Sequence, residues 1–359
     1  MAVLSNSTLN LYCWTGKYND KPASPQYTIT KTNPDSNNTI RFEVSELIQD
    51  YVDLVFTNNY TKGNIKSTCW WEYDKENVYS DLTYNTIEVK YGIATKGYGY
   101  FENGLNSNLS TSKLISNEFL YIPENGIIRF PVYVGPTGVT SVKFYSKSAA
   151  GTEFVSDTKG FNILSNIPST EDSNDYIRYV ESGVKATKIE ITSTNLNIES
   201  GVIINNTTAR ETIYPVYLDC SKYENYKISF VNKFGAIQDL WFNKKRTDDL
   251  NVKRDTFDTS TIFSSPSSVS YNTYDPTTIT QDVTSKKSIT LNTGYLKDEY
   301  NETIRQLMQS EEVWITEGSN TLPVAIKDSS FTYKTHLNDK LVNYTVQFDY
   351  AFDGINSVR

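Results

Sequence analysis

The chain has 359 residues, which is enough for two or three domains with sizeable cores. Lys and Arg total 34 against 42 Asp and Glu, and the formal net charge of −8 argues against a broad basic surface for nucleic acid. Aromatic residues make up 13% of the chain, with 27 Tyr beside abundant Thr, Ser and Asn, so the composition favours a mainly β protein.

The N-terminal part is typical of strands separated by turns, with one short helix. The stretches LNLYCW, QYTITK and TIRFEV have the residues of strands. From Val44 the apolar spacing becomes that of a helix, with Ser45 as a plausible N-cap, and the predicted apolar face is Val44, Leu47, Ile48, Tyr51 and Val52. Further strands are predicted at STCWWEY, TIEVKYGI, EFLYIP, IIRFPVYVG and VTSVKFYS.

A polar, turn-rich stretch at 165–176, SNIPSTEDSNDY, has no apolar periodicity and marks the predicted domain boundary. We therefore expect one or more β domains at 1–165 and again at 166–359. Residues 255–290 are rich in Ser and Thr, and a structureless stretch of that length is uncommon inside a compact domain. They are predicted to form an extended arm or a long hairpin that projects from the core.

The C-terminal residues predict one helix packed on a sheet. An amphipathic helix is expected at about 296–310, with an apolar face made of Leu296, Tyr300, Ile304, Leu307 and Met308. Strands follow at EVWITEG, TLPVAI and SFTYKTHL, and the last one, LVNYTVQFDYAF, alternates apolar and polar residues throughout. The predicted fold class is mainly β, with two or more antiparallel β-sandwich-like domains and a few short helices.

One stretch, KFGAIQDLWFNKKRTDDLNVKRDTF at 233–257, combines basic and aromatic residues, as single-stranded nucleic-acid grooves do. Its six cations are opposed by four Asp, which leaves a charge of only +2. We interpret it as the base of an intersubunit arm whose cations pair with acidic neighbours, with DNA inside a channel as the alternative. The candidate interaction residues are Trp241, Lys244, Lys245, Arg246, Lys253, Arg254, Phe257, Phe263, Tyr271 and Tyr274.

Catalytic and cofactor motifs are absent from the sequence. The single histidine, His336, lies in a strand-like segment without a nucleophile elbow, and no Walker A or Rossmann glycine pattern occurs. Carboxylates are plentiful, but no pair is singled out by its surroundings. We expect no enzyme activity, no cofactor and no metal. Five tryptophans could form a sugar-stacking face, although burial in β cores is the commoner role of such rings: Trp14, Trp70, Trp71, Trp241 and Trp314.

The N-terminal sequence MAVLSNSTLNLYCWTG turns polar at Ser5, unlike a signal peptide, and no run approaches the length of a membrane span. We therefore expect synthesis in the cytosol and no membrane partner. Three cysteines are too few for a disulfide scaffold and are expected to be reduced: Cys13, Cys69 and Cys220.

Two segments resemble structural proteins of tailed bacteriophages that infect Bacteroidetes, the crAss-like phages and their relatives. The N-terminal one is LYCWTGKYNDKPASPQYTITKTN followed by TIRFEVSELIQDYV. The C-terminal one comprises NTGYLKDEYNETIRQLMQSEEVWI and LPVAIKDSSFTYKTHLNDKLVNYTVQFDYAFDGINS. Together they cover about a third of the chain, and neither contains a catalytic motif.

The resemblance implies a non-enzymatic structural protein of the tail, tail hub or neck, made in the host cytoplasm and incorporated in the virion. Its expected partners are copies of itself in a homo-oligomeric ring of six- or twelve-fold symmetry, and other tail or neck proteins. Two alternatives stay open at this point: a carbohydrate-binding receptor component of a tail fibre, and a hydrolytic tail component.

Overall fold

The computed structural model describes residues 3–61, 64–80, 85–104, 113–135, 138–162, 171–199, 202–218, 222–265, 267–328 and 341–354. His336 and Cys220 lie outside these ranges, as does the strand predicted at SFTYKTHL. Within the ranges, strands dominate and form mostly antiparallel sheets, which confirms the predicted mainly β class. No helix in the described part is long and apolar enough to cross a membrane.

The N-terminal sheet has four antiparallel strands in the order β2-β1-β3-β4. Their bounds are β1 (Leu4–Trp14), β2 (Tyr27–Thr32), β3 (Thr68–Tyr79) and β4 (Asn85–Thr95). The stretch at 39–44, predicted as a strand, is an irregular connection. The free thiols of Cys13 and Cys69 are buried in one core, and burial raises their pKa values to about 11 and about 12.

One short helix, α1 (Ser45–Gln49), covers this sheet. Ile48 and Val52 are buried in one core with Leu11 of β1, as the apolar spacing predicts. The predicted N-cap is wrong, because Val44 occupies that position and Ser45 is the first helical residue. The Ser45 N–H and hydroxyl both donate to the Glu43 carboxylate instead.

Seven strands in the middle of the chain form a β-sandwich-like unit. A five-stranded sheet of order β5-β11-β10-β7-β8 packs on the pair β6-β9. The bounds are β5 (Phe119–Pro123), β6 (Ile128–Tyr133), β7 (Val139–Lys147), β8 (Glu153–Gly160), β9 (Ile177–Ser182), β10 (Lys188–Glu199) and β11 (Val202–Leu218). Every pair is antiparallel except β5 with β11.

The sheets of this unit do not divide at the predicted boundary of 165–176. Strands β5 to β8 precede that stretch, whereas their partners β9, β10 and β11 follow it. The described part of the stretch docks on the N-terminal sheet, where the Ser173 N–H donates to the Gly16 carbonyl at 2.9 Å. A turn-rich composition marks a connection at the surface, and here that connection joins strands of one sandwich.

The C-terminal sheet has seven antiparallel strands in the order β13-β12-β19-β20-β22-β17-β14. Two further two-stranded pairs, β15-β16 and β18-β21, accompany it. The bounds are β12 (Tyr226–Val231), β13 (Ile237–Phe242), β14 (Thr247–Asp258), β15 (Ile262–Ser265), β16 (Ser268–Tyr271), β17 (Thr278–Asn292), β18 (Leu296–Lys297), β19 (Val313–Glu317), β20 (Asn320–Ile326), β21 (Leu341–Val342) and β22 (Thr345–Tyr350).

Helix α2 (Asn301–Gln309) packs on this sheet, as predicted. It is shorter than the apolar spacing indicates, because 296–297 is strand β18 and a 3-10 turn occupies 298–300. Tyr300, Ile304 and Leu307 are nevertheless buried in one core with alternate residues of β22, among them Phe348. The helix and the sheet therefore cover each other's apolar faces.

We expect Ile304→Ala to lower the free energy of unfolding by about 2–5 kcal/mol, because it removes a fully buried side chain from this core. Met308→Ala, at the half-buried edge of the same helix, is the matched control and should cost less. Denaturant titration measures both. Equal losses in the two variants would show that the helix face is assigned incorrectly.

The turn between β12 and β13 is organised by the fully buried side chain of Asn232. Its Oδ1 accepts hydrogen bonds from the N–H groups of Phe234 at 3.0 Å and Ala236 at 3.2 Å. Its Nδ2 donates to the Leu114 carbonyl at 2.7 Å. One amide therefore shapes the turn and also ties it to the chain segment before β5.

The same turn is where the end of β4 meets the C-terminal sheet. The Thr95 hydroxyl donates to the Phe234 carbonyl at 3.0 Å, and the Tyr98 N–H donates to the Lys233 carbonyl at 2.9 Å. Gly235 has a φ of +75°, and a Cβ there would lie 2.7 Å from the Cβ of Thr95. Both the conformation and the close approach therefore require glycine.

We expect Gly235→Ala to lower the free energy of unfolding by about 2–5 kcal/mol, the sum of a left-handed conformation and an overpacked contact. Gly151→Ala is the matched control, because Gly151 has a φ of +81° but open space around it. The control should cost only about 1–2 kcal/mol, the penalty of the conformation alone. Similar thermal unfolding of the two variants would contradict the close contact.

Candidate interaction surface on a projecting hairpin

Strands β14 and β17 form a long antiparallel hairpin that carries most of the predicted interaction residues. They pair from Thr247 opposite Thr290 to Asp258 opposite Thr278. The shorter pair of β15 and β16 lies in the connection between them. Only the inner end of β17, from Ser288 to Asn292, also pairs with β22. The hairpin thus begins inside the sheet and extends beyond it.

Strand β14 is exposed along its whole length. All twelve of its residues are exposed, although they include Leu250, which is 63% exposed, and Phe257. The connection beyond it carries Tyr271, at 68%, and Tyr274, at 81%. A two-stranded ribbon is marginally stable in water, and apolar side chains grouped on an exposed surface mark contact sites.

One face of the hairpin continues the C-terminal core outward. Residues that are paired across the ladder share a face, so Leu250 and Val252 lie on the same side as Ile289 of β17. Ile289 is fully buried in the core, Val283 farther out is half-buried, and Leu250 and Val252 are exposed. Because Val283 lies farther out than Leu250 and Val252, the apolar stripe is covered on its β17 side and left open on its β14 side.

The structure separates the basic and aromatic parts of the run at 233–257. Trp241 lies half-buried on β13 between the sandwich core and the C-terminal core, and Phe242 is fully buried. Lys244, Lys245 and Arg246 follow in the connection to β14. These rings and cations therefore do not form one stacking surface.

The basic residues at the base of the hairpin pair locally. Arg246 lies over the Tyr226 ring, with its Nε 3.1 Å from Asp248. On the hairpin itself, the Lys253 ammonium is 3.4 Å from Asp255. Acidic neighbours thus accompany both cations, as the mixed charge of the run indicates.

The hairpin brings the remaining candidates together. Lys253, Arg254 and Phe257 lie on β14, where Phe257 is opposite Ile279. Phe263 lies on β15, and its side chain is outside the described part; Tyr271 ends β16 and Tyr274 lies in the next turn. Sequence reasoning missed four further exposed apolar residues of the hairpin, because exposure depends on which strands pair beside it: Leu250, Val252, Val269 and Ile279.

A buried ionic network is the second candidate site. The Asp239 carboxylate accepts hydrogen bonds from the hydroxyls of Tyr60 and Ser229, and Arg129 Nη1 lies 3.1 Å from it. Arg129 also pairs with Glu181 and lies over the Tyr60 ring. Burial and the Asp239 charge raise the pKa of Tyr60 well above its usual value.

Lys227 extends this network, with its ammonium 4.0 Å from Asp239 and in contact with the Asn58 amide oxygen. Burial lowers the pKa of Lys227. These groups satisfy one another, so the arrangement holds strands β6, β9, β12 and β13 and the segment at 58–60 together. The function that the geometry supports for it is structural.

A cleft of about 490 Å³ borders this network between β8 and β9. The charged groups that line it are already paired, with Lys159 at 3.1 Å from Asp157 and Arg178 at 3.0 Å from Asp175. No group of three or more His, Cys, Asp or Glu in the described ranges could hold a metal ion.

The tryptophans, considered above as a sugar-stacking face, all pack in cores. Trp14 and Trp70 are buried together with Tyr176, and Trp71 packs on the core beneath α1. Trp241 and Trp314 are half-buried against other clusters. The five indole rings thus contribute to internal packing.

Comparison with protein-family models, with curated proteins and with solved structures finds no match for this chain.

We expect Leu250→Ala to change the free energy of unfolding by less than about 0.5 kcal/mol, because its side chain contributes little to the core of the chain. Ile289→Ala, on the same face but inside the core, should lower it by about 2–5 kcal/mol. Denaturant titration of the two variants tests this contrast. A large loss for Leu250→Ala would mean that the hairpin is covered by its own chain.

Proposed function

We propose that the chain is a non-enzymatic structural protein of a tailed bacteriophage virion, in the tail, tail hub or neck, and that it acts through contacts between subunits. The observation that carries the proposal is the hairpin of β14 and β17, whose exposed apolar side chains are left uncovered by the described part of the chain. The resemblance of the two terminal segments to phage structural proteins supports the virion setting.

The physical argument begins with the free energy of exposed apolar surface. Each exposed apolar Å² that becomes buried on assembly contributes about 25 cal/mol. The hairpin offers several such side chains on a scaffold that is already ordered by the ladder between β14 and β17. Because the arm is pre-ordered, docking loses less conformational entropy than ordering a disordered tail would.

The charge of the hairpin favours a protein partner over DNA. Strand β14, with the sequence TDDLNVKRDTFD, has four Asp against two cations. A strand that followed a phosphate backbone would need an excess of cations. The partner that we propose is therefore a neighbouring copy in a ring of six- or twelve-fold symmetry, or another tail or neck protein.

The test is to replace residues 250–287 with a two-residue Asn-Gly turn, which joins Asp249 to Ser288, a pair that lies opposite in the ladder. The core residues Ile289 and Leu291 are kept, so the variant should fold with nearly unchanged melting. We expect it to fail to assemble into particles, as judged by electron microscopy and by complementation of a phage that lacks the gene.

Phe101→Ser is the matched control, because Phe101 is a fully exposed aromatic residue in a 3-10 turn after β4 and not part of the hairpin. This variant should assemble normally. A hairpin-deleted protein that folds and assembles as efficiently as the parent would refute the proposed function.

A further inference from the structure

We propose that the outer edge of β14 pairs with β14 of a second copy of this chain, in an antiparallel two-fold register centred on Asn251. This inference rests on the proposed function, and it adds one two-fold contact, with its register, to the ring contacts proposed above. Three features of the hairpin support it: an open strand edge, a self-complementary order of charges, and an apolar centre.

The open edge follows from the sheet order. Strand β14 is the last strand of the seven-stranded sheet, and no other described strand pairs with its outer side. Its twelve residues are about 40 Å long at roughly 3.3 Å per residue. An exposed edge of this length presents unpaired backbone N–H and C=O groups that a second strand can satisfy.

The charges of β14 are arranged symmetrically about Asn251. Asp249 and Asp248 lie two and three residues before it. Lys253 and Arg254 lie two and three residues after it. Antiparallel pairing centred on Asn251 places Asp249 opposite Lys253 of the second copy, and Asp248 opposite its Arg254. The two-fold axis repeats both pairs, so four cross-strand ion pairs form.

The apolar residues complete the same register. Leu250 and Val252 flank Asn251. In this register Leu250 therefore lies opposite Val252 of the second copy, and Val252 lies opposite its Leu250. Side chains alternate between faces, so these two share a face with Asp248 and Arg254. Four apolar side chains then meet at the centre of that face, between two ion pairs, and they extend the stripe that begins at Ile289.

Neighbouring two-fold registers lack this complementarity. Moving the centre by one residue in either direction leaves Asp248, Asp249, Lys253 and Arg254 without their opposite charges, and a centre at Val252 sets Asp249 opposite Asp255. Parallel pairing in register sets each charge opposite its own copy. Like charges directly opposite are destabilising in sheets, so the pattern selects one alignment.

The charged side chains are available for this contact. Asp249 and Arg254 form no ion pair within the described part of the chain, and Asp248 and Lys253 have only exposed local partners. Such surface pairs are weak and can be exchanged for cross-strand pairs. The contact would join two seven-stranded sheets edge to edge. Because it is isologous, it closes as a pair or joins two rings, and it does not build the ring itself.

The experiment uses the full chain and two double variants, Asp248→Lys with Asp249→Lys, and Lys253→Asp with Arg254→Asp. Sedimentation equilibrium should show reversible pairing of the parent chain that weakens with added salt. In a dimer of either double variant, all four cross-strand pairs consist of like charges. The dissociation constant of that dimer should therefore be higher than that of the parent dimer by about 100-fold or more. A 1:1 mixture of the two variants restores four opposite pairs and should pair again.

A second measurement reports the register without changing the charges. Asn251→Cys places two thiols opposite each other across the axis, at a Cα separation of about 4.5–5.5 Å that suits a disulfide. Under mild oxidation it should form a covalent dimer, whereas Asp258→Cys and the parent chain should not.

A parent chain that is monomeric at its highest soluble concentration overturns the proposed contact, and so does pairing that the charge variants leave unchanged. In either case, loss of assembly on deletion of the hairpin would leave the proposed function standing. If the hairpin-deleted protein also assembles normally, both the proposed contact and the proposed function are refuted.

Discussion

The buried carboxylate of Asp239 is the constraint on which the arrangement of the chain depends. It lies on β13 and receives hydrogen bonds from Tyr60, which precedes β3, from Arg129 of β6, and from Ser229 of β12. Three separate parts of the chain therefore converge on one charge. Removing one member of such a buried network leaves an uncompensated charge, which typically costs about 3–5 kcal/mol. The network thus specifies how the sheets are joined more than it adds to their stability.

The network around Asp239 also explains why a hairpin can project from the molecule and stay ordered. Strand β13 begins the seven-stranded sheet and β14 ends it, so backbone hydrogen bonds connect the network to the arm through every strand between them. The inner residues Ile289 and Leu291 of β17 are buried in the core. The arm is therefore an extension of a fixed sheet. A surface presented in this way keeps its orientation, which is what an assembly contact requires.

Sequence patterns predict the parts of this fold that depend on neighbours along the chain. The alternation in β22 and the spacing of Tyr300, Ile304 and Leu307 identify a strand and a helix that do pack together. The network was not predictable, because Arg129 and Asp239 are far apart in sequence and nothing local marks either. The strand pairing across 165–176 escaped prediction for a similar reason, since it depends on distant partners. The exposure of Leu250 and Val252 also escaped prediction, because burial is a property of the whole sheet.

An exposed strand edge can pair with strands of other chains and so promote aggregation, and charged side chains on the edge commonly prevent this. Strand β14 has such charges, but their order gives them a second role. Acidic residues precede Asn251 and basic residues follow it. Parallel pairing in register, and antiparallel two-fold pairing centred on Leu250 or Val252, therefore bring like charges together, while two-fold pairing centred on Asn251 brings opposite charges together. The residues that would prevent aggregation therefore also encode a specific contact. A strand whose charges were all of one sign would be protected equally well, yet it could not recognise a second copy of itself.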